Sequence, residues 1–189
     1  MKERDYAIDI VKFLAVLLII NSHADVMYPH LKILATGGAI GDCLFLFCSG
    51  FTLFMGRIKS FDNYYKRRVS RIYPSVWMSM VFIHLLALNG NVRWTEFVCT
   101  KPFIMAIMTY YVFLWFIQRY MQNKVNWVLL FVGIVSLIVY IFWFPYKYEV
   151  SSKGLYGITT HYRWIPYFAA MLLGAVVGMK RKDLKYHAG

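Results

Sequence analysis

Residues 8–28 read IDIVKFLAVLLIINSHADVMY. The run is long enough and apolar enough to cross a bilayer as a helix. It nevertheless carries Asp9, Lys12 and His23. At about 100° per residue, Lys12 and His23 fall within about 20° of one another on the helix surface, and the rise sets them about 16 Å apart. Asp9 lies on the same stripe. An anchor facing lipid all round would not carry an acid, a base and an imidazole on one side. Ionisable groups at membrane depth are costly and face a cavity or a neighbouring helix.

The composition agrees with this reading. The 189 residues are 60% hydrophobic and 19% aromatic, and mean hydropathy is +0.51. A soluble domain of this length is closer to half apolar. The expected fold is all-α, a polytopic membrane helical bundle of about six transmembrane helices, with no length left for a separate soluble domain. The apolar run that follows Lys2 and Arg4 is too long and too charged for the core of a cleavable signal peptide, so it reads as a permanent helix.

The spacing of apolar runs predicts spans over 8–28, 38–56, 74–90, 103–120, 125–145 and 164–179, the third and sixth leaning on flanking Tyr and Trp at the membrane interface. With the N-terminus in the cytoplasm, fourteen of the 21 basic residues fall inside and six outside, with Lys12 in the membrane. Basic residues gather in cytoplasmic loops, so this asymmetry supports both the span count and the orientation. It also accounts for the net charge of +12 without any nucleic-acid partner. The connection 57–73, RIKSFDNYYKRRVSRIY, is basic and aromatic and is expected on the cytoplasmic membrane surface. The connection 146–163 is polar and external.

Several side chains could carry chemistry. Asp9 and Lys12, three apart, can neutralise each other; for Asp9 alone an interfacial ion pair is the preferred reading. His23 is the favoured functional group, since histidine is scarce at membrane depth, against a polar contact with Asn21, Ser22 or another helix. Asp42 lies at nearly the depth of His23. Two readings stay open for it: a carboxylate orienting the imidazole, or an acid favoured at a helix N-terminus. Arg67, Arg68 and Arg71 share one helical patch, which suits phosphate oxygens; from spacing alone a positive-inside anchor on anionic lipid is the preferred reading. Ser49–Gly50 reads as a close-packing pair. Cys43, Cys48 and Cys99 imply neither a disulfide framework nor a metal site. His30, His84, His161 and His187 are isolated, and no HExxH, phosphate-loop or CxxC pattern occurs, so metal catalysis has no support.

Three segments, in order, resemble acyltransferase family 3 of integral membrane proteins. DIVKFLAVLLIINSH is similar to its opening helix, in which a basic residue, usually arginine, precedes a histidine; here Lys12 stands in the arginine's place and keeps charge without the fork. LFLFCSGF resembles its aromatic run ending in Ser-Gly-Phe, and KRRVSRIYP its Arg-Arg-x-x-Arg stretch leading into Tyr-Pro. LWFIQRY (114–120) and RWIPYFAAMLLG (163–174) are weaker echoes. The resemblance implies a membrane O-acyltransferase that moves an acyl group, commonly acetyl, from cytoplasmic acetyl-CoA to a hydroxyl of a cell-surface or lipid-linked glycan. His23, Lys12 and Asp42 would be catalytic, with His23 as general base or transient acyl carrier and Lys12 binding the donor or polarising its carbonyl. Arg67, Arg68 and Arg71 would meet the CoA phosphates. The chain would be a single domain over 1–189 in the plasma membrane, among membrane lipids. Family members carry more spans than six, so the resemblance also implies a domain incomplete at its C-terminal end, with a partner chain or a homo-oligomer supplying helices. A non-catalytic remnant or half-protein is the alternative, and a small transporter ranks below it, since no inverted repeat is visible.

Overall fold

The structure is a computed structural model that describes residues 5–24, 28, 30, 34–57, 60–87, 102–142 and 164–187. Among the described residues 91% are helical and none is in a strand. Six α-helices follow one another: α1 Tyr6–Ser22, α2 Gly38–Met55, α3 Phe61–Ala87, α4 Pro102–Tyr120, α5 Val125–Phe142 and α6 Trp164–His187, with a single 3₁₀ turn at Gln122–Lys124 before α5. Segments within α2, α4 and the Gln122–Phe142 stretch are long and apolar enough to cross a membrane. The expected connection 146–163 with His161, the residue Cys99, and all six basic residues assigned outside lie beyond the described residues.

The chain divides into two compact units. The first holds α1, α2, α5 and α6. In it α2 packs on α6 and on α1, and α6 packs on α5. Three glycines let the backbones approach. A Cβ added at Gly50 would strike the Met171 carbonyl, one at Gly174 would strike the Phe47 carbonyl, and one at Gly178 would lie 2.6 Å from the Phe51 oxygen. This is the close packing that small residues give apolar helices. Leu46, Phe54, Met171 and Leu172 fill the seam and are almost fully buried. On the other side Ile8, Cys48 and Phe51 form a cluster with Val11, Phe47 and Met55. By contrast α5, the most apolar of the membrane-length segments, is only 6% buried; Trp127, Phe131 and Leu137 point outward. A helix this apolar on its open faces belongs in lipid. At one end Arg181 of α6 reaches Asp5, just before α1, at 3.8 Å. The N-terminus of α1 and the C-terminus of α6 therefore share one end of the unit.

The second unit holds α3 and α4, joined by aromatic contacts. Phe61 stacks on Tyr65 at 5.5 Å and meets the edge of Trp115 at 5.2 Å. The Tyr64 hydroxyl donates to the Tyr111 carbonyl at 3.1 Å.

Two expectations need correction. The first span does not reach residue 28: α1 stops at Ser22, and His23 is its C-cap. The polar pair before it ends the helix. Ser22 Oγ donates back to the Ile19 carbonyl at 2.8 Å, and the Asn21 amide donates forward to Leu34 and Thr36 at 2.7 and 3.1 Å. Side chains that bond locally to backbone offer it an alternative to the helix. The following turn enters α2 through Gly37, whose φ of +96° glycine adopts at least cost. The second correction concerns 57–73. Residues 61–73 are not a separate surface connection but the first half of α3, continuous through Pro74. Proline lacks the N–H that would bond the carbonyl four residues back, at Ser70. The helix nevertheless carries on through Pro74; upstream, Asp62 and Lys66 pair across one turn at 2.9 Å and Tyr64 is pinned to α4.

Candidate functional site

In the first unit the candidate residues lie along α1 and the start of α2. Lys12 is half-buried and its ammonium stands 3.9 Å from Asp9. One turn of helix makes this pairing, which offsets part of the cost of a half-buried cation. His23 occupies the other end of the helix. Its backbone N–H bonds to the Ile20 carbonyl at 3.1 Å, and its side chain is exposed. Asn21 and Ser22, the neighbours that a purely packed histidine would use, are committed elsewhere: Asn21 also accepts from the Tyr28 hydroxyl at 3.0 Å.

The first turns of α2 lie against the end of α1. A Cβ on Gly41 would meet the Ala15 carbonyl at 2.8 Å, and one on Gly38 would meet the Ser22 side chain. Asp42 therefore comes to the same end of the unit as His23. Residue 42 is rotated by about 100° from residue 41, which turns it from α1 toward α6. There the Tyr167 hydroxyl donates to Asp42 Oδ2 at 3.1 Å. The two readings left open for Asp42, an acid orienting the imidazole or an acid favoured at a helix start, include no such contact; it comes from a buried tyrosine in the first turn of α6. Charge-assisted bonds of this kind are among the stronger ones. Tyr167→Phe leaves the half-buried carboxylate short of a donor, and the full chain in detergent is expected to lose about 2 kcal/mol, read as a lowered Tm.

Tyr167 was not singled out from the sequence. It lies inside RWIPYFAAMLLG, where a tyrosine near a helix start reads as an interface anchor. Its pairing spans 125 positions, which no local pattern reveals.

In the second unit the arginines are unlike one another. Arg67 and Arg71 are exposed; Arg68 is half-buried. The Arg68 guanidinium sits 5.5 Å from the Tyr64 ring centroid and 5.5 Å from that of Tyr111. Burial pushes the Tyr64 phenol well above its ordinary value, with the nearby Arg68 charge opposing the shift, so this tyrosine stays a neutral hydrogen-bond donor. Lys66 is held by Asp62. No group of three His, Cys, Asp or Glu side chains among the described residues could hold a metal ion.

The parts available are thus an exposed imidazole at the end of a helix, a paired lysine on the same face about two turns from the other end, a tethered carboxylate near the imidazole's end, and two exposed arginines on a separate helix. An imidazole can take a proton from a hydroxyl, and arginines can hold phosphates. A family model with the description acyltransferase domain, that of acyltransferase family 3, matches residues 5–186. No curated protein and no solved structure matches the chain.

Proposed function

This chain belongs to acyltransferase family 3 and is a membrane protein, and from that premise we propose that it moves an acetyl group from acetyl-CoA to a hydroxyl of a cell-surface or lipid-linked glycan. The observation that carries the reading is α1, where a paired lysine about two turns in from the start and an exposed histidine at the C-cap stand on one helix within a chain of this family. Arg67 and Arg71 would take the donor's phosphates. Lys12 would line the route of the donor and bind its arm on the way to His23. His23 would accept the proton of the acceptor hydroxyl as that oxygen attacks the acyl carbon. The C–O ester bond forms, the C–S bond breaks, and the proton returns to the CoA thiolate. Alternatively the imidazole takes the acyl group first and passes it on. In either case the acyl end of the donor has to reach about 16 Å along α1, past Lys12, before it meets His23. The plasma membrane, with the N-terminus in the cytoplasm, is the location that fits a cytoplasmic donor.

The test uses sidedness. Inverted membrane vesicles carrying the full chain are expected to place label from added acetyl-labelled CoA into a base-labile product, and right-side-out vesicles are not. Labelling in neither preparation above that of vesicles lacking the chain would contradict the proposal.

A further inference from the structure

Spacing alone makes Arg67, Arg68 and Arg71 members of one patch. Their surroundings separate them. Arg67 and Arg71 are exposed and lie about 40° apart on α3. Arg68 is turned toward α4. Its guanidinium carbon is 5.5 Å from each of two ring centroids, Tyr64 and Tyr111, within the range of cation–π attraction. Both rings are buried, and the phenol of the first bonds to the carbonyl of the second. The Arg68 Nε is itself buried and has no hydrogen-bond partner. An arginine grips a phosphate through two neighbouring N–H groups of its planar fork. With Nε shut in, the side edge of that fork is lost to any external anion. What remains engaged is the cation between two aromatic faces, a contact that spans from α3 to α4.

We propose that Arg68 is a positioning residue: it fixes α3 on α4 through Tyr64 and Tyr111, and so holds Arg67 and Arg71 in place for the donor phosphates. The last clause rests on the acyl-donor reading above; the fixing of the two helices does not.

The test is a double-mutant cycle on the full chain in lipid nanodiscs, reading Tm and the KM for acetyl-CoA. Arg68→Gln and Tyr111→Leu are each expected to lower Tm by roughly 5 °C, and the double variant to fall no further than the worse single one, because both changes remove the same contact. Arg68→Gln is expected to raise KM about tenfold with kcat unchanged in the wild-type background, and to leave KM unaffected when Tyr111 is already leucine. Arg67→Gln raises KM in both backgrounds. Should Arg68→Gln not fold, Arg68→Lys takes its place in the cycle. Additive Tm losses, or an Arg68 effect on KM that is the same in both backgrounds, would overturn the proposal. If the wild-type chain transfers no acyl group, the donor reading fails, and the Tm cycle still decides whether Arg68 joins the helices.

Discussion

His23→Ala is expected to cut acyl transfer by at least about a hundredfold while leaving the fold intact. General acid–base groups contribute about 10²–10⁴ to rate, and covalent carriers cannot be bypassed without similar loss. Stability should hardly change. The His23 side chain is exposed, and its part in the α1 C-cap is made by backbone N–H, which alanine retains. Surface changes of this kind stay within about 0.5 kcal/mol. A rate lost together with Tm would mean that His23 packs rather than reacts. The measurement is the initial rate of base-labile label in inverted vesicles, normalised to the amount of chain, alongside Tm. Asn21 and Ser22 cannot substitute for it, since both close the end of α1.

Gly174→Ala is expected to cost more than about 3 kcal/mol, enough to prevent assembly of the first unit. The added methyl would run into the Phe47 carbonyl, and a backbone atom cannot turn aside as a side chain can. Relief requires α2 and α6 to part along the seam that buries Leu46, Phe54, Met171 and Leu172. The same separation would strain the Tyr167–Asp42 bond. Gly133→Ala in α5 is the control. Among the described residues, no atom beyond the helix's own backbone lies within 4 Å of the added carbon, so alanine should be neutral or stabilise the helix by up to about 1 kcal/mol. Tm and the yield of folded chain in detergent should move sharply for the first variant and not at all, or upward, for the second.

Much of the helical frame can be read from the chain. The starts and ends of α2 and α4 and the start of α5 follow from apolar runs bounded by glycine, proline or polar residues. The close packing expected of Ser49–Gly50 appears as the contact of Gly50 with the Met171 backbone. Where α1 ends is not legible, because that depends on Asn21 bonding to carbonyls thirteen and fifteen residues away. Nor is the continuity of α3: Pro74 marks a boundary in sequence, and the helix runs through it. Among the candidate residues, the shared face of Lys12 and His23 comes from helical spacing alone. Asp42 and Arg68 differ. Each sits at a position whose meaning is set by a tyrosine from a distant helix, Tyr167 in one case and Tyr111 in the other. Periodicity says which residues share a face; it does not say what that face meets.

The most direct test of the central claim is base-labile acetyl on the surface glycans of cells that lack the native gene. Such cells would be supplied with the 189-residue chain, with its His23→Ala variant, or with neither, and the amount of chain in the membrane would be checked in each. Acetyl that appears with the intact chain alone is the predicted result. Acetyl at equal levels with the intact chain and with His23→Ala, or at the level of cells given neither, would contradict it.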